Sequence, residues 1–194
     1  MRSVKARVSR AVAVILSVLL ATSCASPPLS LYTLQPSDLP TPTVPFSHPG
    51  AVIEIRRVVL PDYLDTQDIL VRNGNTLQRS PHGRWASRLS IEVTRYLTGL
   101  LAARRPNALV TDQPQAAMPT DRILITISNL DVTTAGRATL QANWSIVPRN
   151  SAQPIRGQRA LFTVNGQVKP GHDVVVLTQA LLTQLADAIG VGHL

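Results

Sequence analysis

The chain has 194 residues, a formal net charge of +8 and only 4% aromatic residues. Its basic residues are scattered, and aromatic residues are not interleaved among them in a stripe, which argues against nucleic-acid binding. Its single cysteine cannot form an internal disulfide, and it is a poor candidate for a metal site, which needs several ligands.

The first residues have the layout of a secretory signal. Four basic residues precede an uncharged, almost wholly apolar run over residues 11–20, and the small residues 21–23 follow it. The run is well short of the roughly 20 residues that a spanning helix needs. We therefore predict a cleaved signal peptide over residues 1–23. The alternative is a membrane anchor that stays attached, with the cysteine as an incidental core residue.

The lone cysteine, Cys24, directly follows this segment, and the sequence before it resembles a bacterial lipobox. The most frequent lipobox has leucine three places before the cysteine, where this chain has Ala21, and Leu20 lies one place further back. The resemblance implies that the Cys24 thiol receives a diacylglycerol and that the chain is cut before it. Two acyl chains anchor a protein stably, because each buried methylene contributes about 0.8 kcal/mol.

The residue after the cysteine bears on the compartment. Ala25 stands where an aspartate tends to retain lipoproteins in the inner membrane of Gram-negative bacteria. We therefore expect a lipid-anchored protein of the outer membrane that faces the periplasm. Because four of the 19 basic residues precede Cys24, the mature chain has 15 basic and 11 acidic residues, and its net charge of +4 is ordinary for a small domain.

Residues 24–50 are predicted to be a lipidated tether. Seven of the 15 prolines fall there, and such a composition favours extended conformations of about 3.1 Å per residue that would hold the domain away from the membrane. Within this segment the apolar island LYTL, residues 31–34, is predicted to be a short strand that docks on the edge of the domain.

The remainder, residues 51–194, is predicted to be one domain. Strand patterns occupy residues 51–60, 69–72 and 76–78, the last two forming a hairpin around the Asn-Gly turn, and an amphipathic helix runs from about Arg84 to Arg104. Strands then follow at residues 107–111, 121–132, 136–148 and 159–166, before a helix at about 172–189 that Gly190 ends. This order predicts an α+β fold, with a mixed, mostly antiparallel sheet and two amphipathic helices packed on one face.

The sequence has few candidates for chemistry. Its histidines lack partners at metal-ligand spacing, and Asp62, Asp65 and Asp68 do not fit a calcium loop, because Gln67 and Asn73 stand where that loop needs glycine and glutamate. Neither a phosphate-binding glycine loop nor a serine in a glycine-flanked elbow is present. We therefore predict no catalytic residue, no metal and no cofactor.

Four segments, in order, carry a resemblance to a known family. They are LYTL soon after the cysteine, VVLPDYLDTQDILVR, GRWASRLSIEVTRYLTGLL, and a late ATLQANWSI strand before a terminal helix. Together they resemble the ABC-type transport auxiliary lipoproteins, the PqiC-like proteins, over nearly all of the mature chain. The family often has two adjacent tyrosines where this chain has Leu31 and Tyr32.

The resemblance implies a role as a partner of a transporter. Such lipoproteins accompany an MCE-type system, in which an inner-membrane permease, a cytoplasmic ATPase and a periplasm-bridging MCE protein move lipids between the membranes and support envelope integrity. This lipoprotein would dock the bridge at the outer membrane. Because bridging MCE proteins form symmetric rings, a matching homo-oligomeric ring is a further expectation.

Five residues of the matching motifs are candidates for partner contacts: Asp62, Tyr63, Arg72, Arg84 and Trp85. Each also has a structural interpretation. Asp62 would shape a corner, Arg72 would pair with a nearby aspartate, and Trp85 would belong to the core at the start of the first helix. Two other functions remain open: a lipoprotein that binds another envelope partner, such as an activator of cell-wall synthesis, and an enzyme that acts on lipid or glycan.

Overall fold

The computed structural model describes residues 28–34, 50–115, 118–169 and 171–191. The predicted signal peptide, Cys24 and most of the tether lie outside the described residues. The elements are β1 (Ser30–Tyr32), β2 (Ala51–Ile55), β3 (Asp68–Asn73), β4 (Thr76–Trp85), α1 (Leu89–Arg104), β5 (Ala108–Thr111), β6 (Asp121–Val132), β7 (Arg137–Pro148), β8 (Arg156–Asn165) and α2 (His172–Val191).

The larger sheet has five strands in the order β5-β2-β6-β7-β8. β2 is parallel to both β5 and β6, whereas β6, β7 and β8 are antiparallel neighbours. β6 and β7 have 12 residues each, and their apolar side chains alternate, so these side chains share one face of the sheet. Ile125 of β6 is paired with Trp144 of β7, and both side chains are buried. These two strands form the centre of the core.

Two helices cover the apolar face of the larger sheet. α1 packs beside β5, and α2 packs against α1, β7 and β8. Their fully or almost fully buried leucines are Leu97, Leu101, Leu181, Leu182 and Leu185. Alternate residues of β7, such as Gln141 and Asn143, are exposed on the other face. The predicted fold class, α+β with two helices on one face of a mixed sheet, is confirmed.

A second, smaller sheet contains three strands in the order β1-β4-β3. The pattern of strands in the sequence predicts one sheet, but the structure divides the strands between two. The backbones of the two sheets meet at an isolated bridge between Arg72 of β3 and Thr133, which follows β6, and the Thr134 N–H donates to the Arg72 carbonyl over 3.0 Å. The hairpin of β3 and β4 turns at Gly74, whose φ of 57° lies in the left-handed region that favours glycine.

The start of the first helix differs from the prediction. β4 continues to Trp85, and α1 begins at Leu89, so Arg84 and Trp85 are strand residues and do not open the helix. Their backbone is held by parallel pairing with Leu31 and Tyr32 of β1. A helix over these residues would lose that pairing, which comes from more than 50 residues earlier in the chain. Trp85 is nonetheless a core residue, as predicted.

Other boundaries also differ from the prediction. β2 ends at Ile55, and beyond it Val59 makes only an isolated bridge to Thr126. The second arm of the hairpin is 10 residues long, and Gly190 lies inside α2. By length and composition the window His172–Gly190 could cross a membrane, but half of it is buried within the domain. That burial is typical of a core helix.

Candidate functional site

The segment that follows the predicted lipidation site is folded into the domain. Leu34 is fully buried in the core, and its backbone N–H donates to Oε2 of Glu92 over 3.1 Å. Its carbonyl accepts a hydrogen bond of 3.2 Å from the side chain of Gln179 in α2. The Ala86 N–H donates to the carbonyl of Tyr32 over 2.7 Å. LYTL thus docks on the domain at an edge, as predicted, and three distant parts of the chain hold it.

Glu92 is the residue that sequence reasoning missed at this place. Its side chain is buried, and its two carboxylate oxygens accept from the Leu34 N–H and from the hydroxyl of Ser87. A buried carboxylate is costly unless hydrogen bonds satisfy it. The docked segment therefore supplies a hydrogen bond that Glu92 needs, and Glu92 holds that segment in place. No local sequence pattern predicts this hydrogen bond, because Leu34 and Glu92 are 58 residues apart.

The predicted contact residue Arg84 lies on the outer face of the smaller sheet. Arg84 is paired with Leu31 of β1 on one side and with Asp68 of β3 on the other, so the three side chains lie on the same face. Nε of Arg84 is 3.1 Å from one oxygen of Asp68, and Nε of Arg79 is 2.8 Å from the other. Nη1 of Arg84 also donates to the carbonyls of Ser80 and Gly83. Two arginines therefore share one carboxylate here.

Arg72 joins the two sheets through its side chain as well as its backbone. Its Nη2 lies 2.8 Å from Oδ1 of Asp131 at the end of β6. The side-chain hydrogen bond that Arg72 donates to Asp131 raises the pKa of Arg72 above its ordinary value against the opposing effect of burial. The charge of Asp131 and the nearby Tyr63 add to the rise. The predicted pairing of Arg72 with an aspartate is present. The structure also brings Tyr63, which is exposed, to the same place.

The corner that contains Asp62 is a turn closed by backbone hydrogen bonds. The N–H groups of Leu64 and Asp65 donate to the carbonyl of Pro61 over 2.9 and 3.1 Å. Asp62 is exposed on this turn. Of the five candidate residues, the structure therefore places Tyr63 beside Arg72, Arg84 on the sheet face, Asp62 on an exposed corner and Trp85 in the core.

Asp65 has a structural role at the start of α1. Its Oδ1 accepts from the N–H of Ser90 over 3.1 Å, and Arg88 lies 3.5 Å from its other oxygen. Burial raises the pKa of Asp65, but the hydrogen bonds from Ser90 and the charges of Arg88 and Arg57 outweigh it, so the pKa lies below its ordinary value. The carboxylate satisfies a backbone donor that a helix leaves unpaired at its N-terminus.

Two observations bear on metal binding and catalysis in the described part of the chain. Within the described ranges, no group of three or more His, Cys, Asp and Glu side chains could hold a metal ion. An open groove of about 300 Å³ lies beside β2, and Glu54 in its lining is paired with Arg56 and Arg122 at 3.3 and 2.9 Å. The lining contains no serine, cysteine or histidine that would act as a nucleophile or base.

Two solved structures share this fold. A crystal structure of an uncharacterized protein superposes with a TM-score of 0.69 at 16% identity, covering 84% of this chain and 97% of the other. A DUF330 protein from Xanthomonas campestris superposes with a TM-score of 0.61 at 15% identity, covering 83% of this chain and 92% of the other. At these identities the likeness concerns the fold alone. No curated protein matches the sequence.

The sequence itself matches one protein family over residues 32–190, described as the ABC-type transport auxiliary lipoprotein component. The chain belongs to this family, and the family expected from the sequence motifs is confirmed. It is a family of transport auxiliary lipoproteins and not a known family of enzymes. Membership indicates a membrane-anchored, envelope-associated protein that works with a transport system.

Proposed function

We propose that this protein is the outer-membrane lipoprotein subunit of an MCE-type ABC lipid transport system. It docks the periplasm-bridging MCE protein at the outer membrane and supports lipid movement between the membranes and envelope integrity. The observation that carries the proposal is the family match over residues 32–190, which begins at the last residue of β1 and reaches the last turn of α2. The permease and the ATPase are separate chains in this proposal.

The anchor in this proposal is Cys24. Its sulfur carries a diacylglycerol after the signal peptide over residues 1–23 is removed, and two or three acyl chains hold a protein stably on a bilayer. The docking of residues 30–34 supports this arrangement, because the anchor is then attached to the folded domain by only a short stretch of chain. Because residues 30–34 are docked, the domain then stays close to the membrane, and residues 24–50 do not hold it away as their composition predicts. The domain faces the periplasm in this proposal.

A ring of copies is the form in which this subunit would match a symmetric bridge. β8 is the last strand of the larger sheet, and among the described strands only β7 pairs with it. The edge of β8 that pairs with no described strand presents backbone groups that a neighbouring chain can use. A contact between unlike surfaces of successive copies closes into a ring when the rotation permits. The mass of the lipidated protein in detergent, measured by native mass spectrometry, tests this directly.

The experiment that tests the function is co-purification from solubilised envelope. The full-length protein, carrying a C-terminal affinity tag, is expected to retain the MCE protein, with the permease and ATPase in smaller amounts. The matched control is Cys24→Ala, which is expected to stay unprocessed or unlipidated and to retain much less. Capture of peptidoglycan or its synthases without any MCE protein would instead favour a lipoprotein of cell-wall synthesis.

A further inference from the structure

The distance between the anchor and the domain is limited by the chain itself. Leu29 is five residues after Cys24, and a fully extended chain advances at most about 3.6 Å per residue, so Leu29 lies within about 20 Å of the Cys24 sulfur. From Ser30 onward the chain is a strand of the smaller sheet. A 12-residue strand of the larger sheet spans about 40 Å by comparison. The smaller sheet is therefore the part of the domain that an anchored chain holds nearest the bilayer.

The outer face of the smaller sheet has an unusual composition for an exposed surface. We name it the leucine–arginine face; its residues are Leu29, Leu31, Asp68, Leu77, Arg79 and Arg84. Leu29 and Leu31, two positions apart, are 59% and 64% exposed. Leu77 and Arg79 are likewise two positions apart in β4, and Arg79 reaches Asp68. Alternate residues of a strand lie on the same face, so Leu31 is beside Leu29 and Arg79 is beside Leu77. The pairing is irregular between Arg79 and Arg84, and the shared carboxylate of Asp68 brings these two arginines together.

The charge of this face suits lipid phosphates. Arg79 and Arg84 share the single carboxylate of Asp68, so the three groups together carry one positive charge. The side chain of Arg79 is 70% exposed and can extend its guanidinium while its methylenes lie beside the leucines. Arginine with exposed leucine is the composition of protein surfaces that lie in the membrane interface.

We propose that the leucine–arginine face lies on the surface of the bilayer that holds the acyl chains of Cys24. Leu29 and Leu31 enter the headgroup region, and the exposed guanidinium of Arg79 binds a lipid phosphate. The inference rests on the proposed lipidation of Cys24, and it adds an orientation: the smaller sheet faces lipid, and the larger sheet extends into the periplasm. The contact fixes the orientation of the domain relative to the bilayer.

The test uses the lipidated mature chain in vesicles of phosphatidylethanolamine and phosphatidylglycerol. Leu31→Trp places a fluorescent reporter on the leucine–arginine face, and Leu124→Trp is the matched control on the outer face of the larger sheet, where Leu124 is also exposed. Emission is compared with the parent chain, whose Trp85 and Trp144 are buried. Vesicles that contain brominated lipid then report contact with acyl chains. Leu29→Trp is a second reporter if Leu31→Trp does not fold.

The expected result is that brominated lipid removes the added fluorescence of Leu31→Trp and leaves that of Leu124→Trp unchanged. Vesicle flotation is measured on the same samples. If the chain floats but the fluorescence of Leu31→Trp is not quenched, the proposed orientation is wrong and the anchor is retained. If that fluorescence is also blue-shifted, a second copy or a partner covers this face instead of lipid. Equal quenching of both reporters also overturns it. A chain that does not float overturns the anchor and the orientation together.

Discussion

The two sheets of this protein are stabilised in different ways. In the larger sheet, long neighbouring strands place Ile123, Ile125 and Ile127 opposite β7, and two helices bury this row. The three-residue strand β1 of the smaller sheet is followed by Leu34, a buried leucine whose N–H donates to Glu92 and whose carbonyl accepts from Gln179. Both sheets contribute to one core, but the larger sheet does so through long neighbouring strands, whereas the smaller sheet joins the LYTL segment to the domain through contacts between residues far apart in sequence.

The largest expected effect on stability is that of substituting Leu34. This substitution tests whether the LYTL segment is part of the core. Leu34→Ala is expected to lower the free energy of unfolding by about 2–5 kcal/mol, because a fully buried leucine leaves a cavity. Urea denaturation measures the loss. Leu140→Ala, at a fully buried position of the larger sheet, is the benchmark. Leu31→Ala, at an exposed position, is the control, and its free energy of unfolding is expected to lie within about 0.5 kcal/mol of that of the parent. A loss for Leu34→Ala no greater than for Leu31→Ala would mean that the segment is not docked.

Glu92 tests the polar part of the same connection. Glu92→Gln keeps the shape but replaces a charged acceptor, so we expect a loss of about 1–3 kcal/mol in the free energy of unfolding. Amide hydrogen exchange at Leu34 is expected to become faster, while exchange in β6 and β7 changes only with global stability. Glu54→Gln is the matched control, because its ion pairs with Arg56 and Arg122 are near the surface and contribute about 0–1 kcal/mol. Unchanged protection of Leu34 would contradict the role assigned to Glu92.

The dependence of stability on pH tests Asp65, which joins the corner before the smaller sheet to α1. Its pKa is lowered in the folded state, so its contribution is complete above the unfolded pKa, close to 3.8, and is lost as the pH falls through the folded pKa. Asp65→Asn is expected to be less stable than the parent at neutral pH, and the difference is expected to shrink in acid. Thermal unfolding at a series of pH values measures it. A difference that stays constant across the acid range would rule out the carboxylate as its source.

The smallest effect on folding is expected for substitution of Arg79. Here the two sheets are compared by their contribution to membrane binding. Arg79→Gln is expected to change the free energy of unfolding by less than about 0.5 kcal/mol, because the pair is exposed. Binding of the acyl-free mature chain to phosphatidylglycerol vesicles is expected to weaken by about 1 kcal/mol, roughly fivefold. Arg137→Gln, an exposed arginine of the larger sheet, is the control and should bind as the parent does. Equal weakening by both substitutions would point to net charge alone.

The larger sheet can be predicted from the sequence, and the smaller sheet only in fragments. In β7, apolar and polar residues alternate strictly from Leu140 to Ile146, and this pattern alone predicts a half-buried strand. The spacing of Trp85 and Leu89 fits a helix, whereas the conformation of Arg84 and Trp85 is decided by pairing with β1. Such pairing depends on residues far apart in the chain, so the local periodicity of the sequence does not predict it. For the same reason the sequence does not reveal that Glu92 holds these segments together.

The hydrogen bond between Leu34 and Gln179 joins positions separated by 145 residues. The ribosome makes the amino end of a chain first, so Leu34 is synthesised long before the residues of α2 that it contacts. The segment around Leu34 is consequently among the first to be made and among the last to acquire its native neighbours. Its docking therefore has to wait until the final helix is complete.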